Sequence, residues 1–482
     1  MNTVPTRQGL GFCLGLMVCL LCSAGLAQSV PAPPRLVAPV IPDHGMAMKP
    51  LQAVVLQAIE RSPSIREAQA SWRATEQDVN QSRSALWPRL ELSANSSAAR
   101  LEQGQGSALS GRVGATLSYN VLDFGKTRQQ IEARQFQALA YQDRVLIARE
   151  TTTFDTVNAY LQLIKHQRLI RIYEQHVIEL RSLVDKLSEI VTVFEGRKSE
   201  LTQAQTRLGQ ARDALLGVKA RQREFQLILM RQAGAAAAAQ PLPDTLPSFS
   251  ESGPDHLVEQ ASLRHPAVRS ARSEAASARA LAAETRAAQK PQVDLQLNKQ
   301  TGVDVNGLSS PAQLYLSARW LAFEGFGGKA SEQAQLERAQ SGEERAAQLL
   351  IEIDYNIQSA WADYEAQSRR AQELTQLVKG TARVRKDAYD QWRELGRRSL
   401  LDVLTAENEH LTTRLSLANS EVDQVIALAK MRFEAGALKE WLVGDDGQAL
   451  PQGLTSASAG GSAALAVPPG KTSFPFGLSL PF

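Results

Sequence analysis

Residues 112–125 run Arg112-Val113-Gly114-Ala115-Thr116-Leu117-Ser118-Tyr119-Asn120-Val121-Leu122-Asp123-Phe124-Gly125, and the way their apolar period ends decides the fold. Val113, Ala115, Leu117, Tyr119 and Val121 alternate with Gly114, Thr116, Ser118 and Asn120, which is the mark of a strand with one apolar and one polar face. Upstream, Leu90, Leu92 and Ala94 alternate with Glu91, Ser93 and Asn95, so residues 89–122 form a hairpin. Its strands, about ten residues each, are long enough to cross a bilayer at a tilt. Beyond Gly125 the period changes. Between Lys126 and Phe194 there is neither proline nor glycine, a run that predicts roughly 100 Å of continuous helix. Its apolar residues are spaced three and four in turn, at Ile170, Tyr173, Val177, Leu180, Val184, Leu187, Val191 and Phe194, and the pattern resumes at Leu201, Ala204, Leu208 and Ala211. A period of about 3.5 residues makes a supercoiled helical hairpin tipped near Gly196.

The pattern occurs twice. Val55-Leu56-Gln57-Ala58-Ile59-Glu60-Arg61-Ser62-Pro63 recurs as Val258-Glu259-Gln260-Ala261-Ser262-Leu263-Arg264-His265-Pro266, and Gly196-Arg197-Lys198-Ser199-Glu200-Leu201 as Gly396-Arg397-Arg398-Ser399-Leu400-Leu401. The second copy has its own alternating segments, Val293, Leu295 and Leu297, then Leu314, Leu316, Ala318 and Trp320. The expected organisation is a signal peptide (1–27), a Pro-rich segment (28–50), a first repeat (51–234), a linker (235–254), a second repeat (255–438) with a hairpin over 291–323 and a tip near 396, and a low-complexity tail (439–482).

The chain has 482 residues, a net charge of +3 and 43% hydrophobic residues, a near-neutral balance that gives no reason to expect nucleic acid as a partner. Arg7, the apolar run Leu10–Leu21 and the small residues Gly25 and Ala27 have the layout of a secretory signal. All three cysteines fall inside it. The mature chain is therefore expected to lack disulfides, thiol nucleophiles and Cys-ligated metal, with lipidation at Cys22 the competing reading. Catalytic patterns fail: Gly125-Lys126-Thr127 lacks the earlier glycine of a phosphate loop, and the six histidines show no metal spacing, so neither cofactor nor metal is expected.

Four strands cannot close a barrel, and open edges in hydrocarbon leave backbone groups unpaired at several kcal/mol each. Copies of the chain must pool their hairpins, and three would supply roughly 12 strands. Trp87, Tyr119, Phe124, Tyr315, Trp320 and Phe323 cluster beside the strands as a membrane-interface belt would; packing in a soluble core is the alternative.

With the signal peptide, the two tandem copies, one hairpin in each and the Gly-Arg-x-Ser tips, the chain resembles the TolC-type outer-membrane factors over roughly residues 51–438. The resemblance implies a mainly α fold with a small β part, a trimeric 12-stranded transmembrane β-barrel above a periplasmic α-barrel, and no enzymatic activity. It also implies an outer-membrane location with a long periplasmic portion, and as partners a periplasmic adaptor (membrane fusion protein), an inner-membrane ABC or RND-type transporter and outer-membrane lipid. It places Asp402, Arg398 and Thr405 at the gate, where the family carries a ring of acids; Thr405 departs from that pattern, and Glu407 and Glu200 are the carboxylates able to compensate. It places Gly196, Arg197, Ser199, Leu201, Gly396, Arg397, Ser399 and Leu401 on the tips that adaptor hairpins grip. A solvated carboxylate at Asp402 and ordinary turns at the tips are the bland alternatives, and a periplasmic adaptor or an envelope coiled-coil protein are the rival functions.

Overall fold

The structure, a computed structural model, describes residues 48–97, 110–239, 242–243, 246, 253–301, 311–394 and 398–443. The expected signal peptide, Cys22, most of the Pro-rich segment, Gly396 and Arg397 lie outside the described residues. In the first repeat, α1 (Met48–Arg61) and α2 (Pro63–Ser84) lead to strands β1 (Arg89–Ser97) and β2 (Ser110–Leu122), and the long α3 (Lys126–Val193) returns as α4 (Lys198–Ala233). A short α5 (Ala235–Ala238) follows. The second repeat has the same order: α6 (Asp255–Arg264), α7 (Pro266–Ala288), β3 (Gln292–Thr301), β4 (Gln313–Arg319), α8 (Gly327–Glu394) and α9 (Leu400–Glu434), closed by α10 (Leu438–Val443). Helices α3 and α8 have 68 residues each, about 100 Å from sheet to tip.

The recurring prolines mark where one helix stops and the next begins. Pro63 and Pro266 sit at the first turn of α2 and α7, where a missing N–H costs nothing. Ser62 Oγ accepts from Ile65 N at 3.4 Å, and His265 Nδ1 accepts from Ala267 N at 3.2 Å. A histidine can cap only while its acceptor nitrogen is unprotonated, and burial holds the His265 pKa down at about 4, from an ordinary 6.5. The unfolded imidazole takes up a proton first. The contribution is therefore full above pH 6.5 and is lost as pH falls toward 4, by about 3 kcal/mol. His265→Ser, which keeps a capping acceptor without the titration, is expected to flatten this part of the pH dependence; thermal unfolding of both proteins at pH 7 and pH 5 checks it.

Glycines close the same repeats. Gly234 (φ 99°) and Gly436 (φ 67°) end α4 and α9 in the left-handed region. A Cβ on Gly436 would lie 3.0 Å from Pro266 Cδ, so the second repeat's last long helix abuts its own His265-Pro266 turn.

The four strands form one antiparallel sheet in the order β1-β2-β3-β4. Below it, α3 packs on α2, α4, α7 and α9, and α8 packs on α7 and α9. Apolar residues gather at two levels. At mid-height, Leu51, Val54, Leu161, Ile164, Leu229, Val422 and Val425 form one core and Leu257, Val268, Ile353, Ile357 and Met431 another. Near the tips, Leu180, Leu183, Leu187, Ala204, Leu208, Trp392, Leu400 and Val403 join both coiled hairpins in a third.

Two expectations change here. The stretch read as a tail from residue 439 begins with α10, whose Leu438 and Leu442 are fully buried; the N–H groups of Leu438 and Lys439 donate to the Glu150 carboxylate on α3 at 3.1 and 3.2 Å. Burial pushes the Glu150 pKa up to about 7. The linker is also not all surface, since Leu242 and Leu246 pack against the first core.

Candidate functional site

At the first tip the chain reverses through a 3-10 turn, Glu195–Arg197. Gly196 is not among the glycines at positive φ and a Cβ there would meet open space, so this reversal does not require a glycine. Ser199 is exposed, while Leu201 is half-buried against the tip core. The Arg197 guanidinium lies over the Trp392 ring at 5.9 Å, with Nε 3.7 Å from Glu200 Oε1, so it links the two coiled hairpins. The first tip displays two apolar side chains, Val193 and Phe194, 73% and 66% exposed, beside the exposed Glu195 and Lys198.

At the second tip Leu400 is buried and Leu401 is 58% exposed. Ser399 and Asp402 form a capping box: Ser399 Oγ accepts from Asp402 N at 3.2 Å, and Asp402 Oδ2 accepts from Ser399 N at 3.0 Å. Those bonds from the Ser399 backbone and hydroxyl hold the fully exposed Asp402 carboxyl below its ordinary range. Asp402 is thus an ionised carboxylate fixed at a helix start by its own backbone. Arg398, which the resemblance places at the gate, donates from Nε to Gln391 Oε1 in its own hairpin at 2.8 Å. Thr405 Oγ1 donates to Leu401 O at 2.8 Å. Neither expected compensating acid is free, for Glu200 faces Arg197 and Glu407 faces Arg385.

Above the tips lies a polar cluster that sequence reasoning missed. Arg385 on α8 reaches both neighbouring helices, with Nη1 2.7 Å from Glu179 Oε2 on α3 and 3.6 Å from Glu407 Oε2 on α9. Burial raises the Glu407 pKa, with Arg385 pulling it down and Glu179 pushing it up. His176 and His410, both buried, are depressed mainly by burial. Folding brings one ligand atom each of His176, Glu179 and Glu407 within 4.8 Å of one another, a proximity the spacing among the histidines does not report. The usable sequence signal was His176-x-x-Glu179 on one helix and Glu407-x-x-His410 on another.

At the other end, the sheet's two faces separate by chemistry. Leu90, Leu117, Leu297 and Leu314 form one cross-strand row, and Tyr119, Leu295 and Leu316 another. These side chains are open to solvent in the single chain: Leu90 63%, Leu92 73%, Val113 57%, Leu314 66% and Leu316 65%. On the opposite face Thr116 pairs with Asn298, Ser118 with Gln296 and Asn120 with Asp294, the last through Nδ2 to Oδ1 at 2.8 Å. A water-soluble sheet buries its apolar face and wets its polar one. In this sheet the apolar face is the more exposed and the polar face is half-buried.

Trp87, Tyr119, Phe124, Trp320 and Phe323 are all exposed near the strand ends or on the apolar face. Tyr315 is the exception. It stands opposite Gln296 and donates its hydroxyl to Gln296 Oε1 at 2.6 Å, so it is corrected from the apolar to the polar face. Trp320 lies just past the end of β4, its Nε1 donating to Gln289 O at 3.0 Å.

The family profile described as outer membrane efflux protein matches residues 54–235. Over those residues the chain is similar to the outer membrane efflux protein family. The outer membrane efflux protein BepC of Brucella suis biovar 1 is 22% identical over 393 residues, 78% of this chain and 83% of that protein. The Campylobacter jejuni outer membrane channel CmeC superposes with a TM-score of 0.72 at 16% identity, over 81% of this chain and 86% of that one. A membrane protein from Pseudomonas aeruginosa superposes with a TM-score of 0.74 at 18% identity, over 87% and 99%. The chain has the fold of these outer-membrane channels, a mainly helical protomer with few strands, and its place is the outer membrane with a long periplasmic portion. Among the described residues no helix is long and apolar enough to cross a membrane.

Proposed function

We propose that the chain is the protomer of a homotrimeric, passive export duct, the outer-membrane component of an efflux or type I secretion assembly powered by an inner-membrane transporter through a periplasmic adaptor. The observation that carries this is a sheet that leaves its apolar face exposed and lines the opposite face with polar residues. Assembly is supported at two levels. Strands β1 and β4 are the outer strands of the sheet, and in the lower half α4, α3, α9 and α8 follow one another, so α4 and α8 are the flanks. Both flanks carry exposed apolar side chains, Leu216, Leu227 and Met230 on α4 and Ile351, Tyr355, Leu377 and Val384 on α8. Rotating copies about one axis joins β4 to the next β1 and α8 to the next α4, which removes the open edges and covers the flanks together.

The tips are the working end of this reading. Val193, Phe194 and Leu401 offer apolar contact to the helical hairpins of an adaptor, alongside Ser199 and Ser399. Ionised Asp402 carboxylates repeated around the axis favour cations. A periplasmic adaptor or a structural coiled coil has no use for an outward apolar sheet. Planar-bilayer recording tests the reading: the purified chain is expected to give discrete, cation-selective openings, and its absence from cells is expected to abolish either drug resistance or protein secretion. In Asp402→Ala, cation selectivity is expected to drop; an unchanged reversal potential would remove Asp402 from the gate.

A further inference from the structure

We propose that His176, Glu179, Glu407 and His410 form a binding site for a divalent transition cation of the zinc class, which staples α3 of the first repeat to α9 of the second. Helix α3 runs from the sheet to the tips and α9 runs back, so His176-x-x-Glu179 and Glu407-x-x-His410 place like residues at matching levels on two antiparallel helices. One ligand atom from each of His176, Glu179 and Glu407 lies within 4.8 Å of the others, a spacing that small side-chain movements close around an ion bound at about 2.0–2.2 Å.

Two side chains of the cluster have unused hydrogen-bonding capacity. His176 is 8% exposed and makes no hydrogen bond among the described residues. Glu407 Oε2 is buried with no hydrogen bond, the Arg385 guanidinium standing 3.6 Å away. One guanidinium serves two carboxylates and leaves an acceptor over. His410 stands outside the trio that approaches within 4.8 Å and is the candidate fourth donor: its Nδ1 lies 3.0 Å from Thr381 Oγ1, which leaves Nε2 for an ion, the outer-shell arrangement that fixes ligating imidazoles. A groove of about 330 Å³ lined by Glu179, Arg385 and Glu407 gives access from solvent. Two imidazoles with two carboxylates suit zinc-like ions and disfavour calcium and magnesium, which take oxygen ligands.

The test is calorimetric titration of Zn²⁺ into the assembled mature protein without a histidine tag, together with the visible spectrum of bound Co²⁺. One saturable Zn²⁺ per chain is expected, unaffected by excess Mg²⁺ or Ca²⁺. His176→Gln and Glu407→Gln should each abolish it, Thr381→Val should weaken it about tenfold, and His166→Gln, whose ring bonds Gln162 O elsewhere on α3, should leave it intact. Should a ligand variant fail to assemble, the Co²⁺ spectrum of the unaltered protein decides, tetrahedral nitrogen–oxygen ligation supporting the site and an aquo-ion spectrum refuting it. Absence of saturable Zn²⁺ binding, or stoichiometric binding that survives His176→Gln, overturns the proposal.

Discussion

Leu297→Arg is expected to abolish insertion of the chain into the outer membrane, whereas Thr116→Arg is expected to leave insertion intact. Leu297 stands in the row that crosses all four strands, between Leu117 and Leu314, near the middle of the apolar face. An arginine at that depth costs about 3 kcal/mol per chain against lipid, and the cost recurs in every protomer of the assembly. Thr116 neighbours Leu117 but points to the polar face opposite Asn298, where a charge stays in water. Membrane flotation and heat-resistant oligomer on gels would separate the two. Equal behaviour of both variants would mean that the faces have been assigned wrongly.

The second large effect is expected from Arg385→Ala. This guanidinium is the only group among the described residues recorded within ion-pair distance of both Glu179 and Glu407. Its removal leaves two carboxylates facing each other in a partly buried site, a loss of about 3 kcal/mol. Arg385→Lys should recover only part of it, because a point charge on a flexible stem does not reproduce a planar fork. Since Arg385 ties α8 to α3 and α9 just above the tips, the same variant is expected to raise resting conductance as well as to lower the unfolding midpoint. A normal closed-state current in Arg385→Ala would show that this tie plays no part in holding the entrance.

Much of this architecture was legible because it is written in periods. Alternation at Val113–Val121 and three-four spacing at Ile170–Phe194 report faces that must be apolar whatever the chain contacts. The displacement between Pro63 and Pro266 reported the duplication, and both prolines open helices. What stayed hidden depends on tertiary partners or on competing uses of one residue. Leu438 and Leu442 are too few and too close together to announce α10, which owes its burial to α3 and the first core. Arg385 gains its meaning from Glu179, 206 positions away. Ser399-x-x-Asp402 was readable as a capping box from its spacing alone, yet the same aspartate also suited a gate, and only the backbone geometry shows its bonds to Ser399. Tyr315 was misplaced because aromatic character suggested a belt while its position in the alternation put it opposite Gln296.

The central claim is that one chain supplies an open four-stranded sheet that becomes a closed barrel only by association. Native mass spectrometry of the mature protein released from detergent micelles tests it most directly. The account predicts a species of three chains that needs surfactant to stay in solution, and a stable single chain in surfactant-free buffer would contradict it.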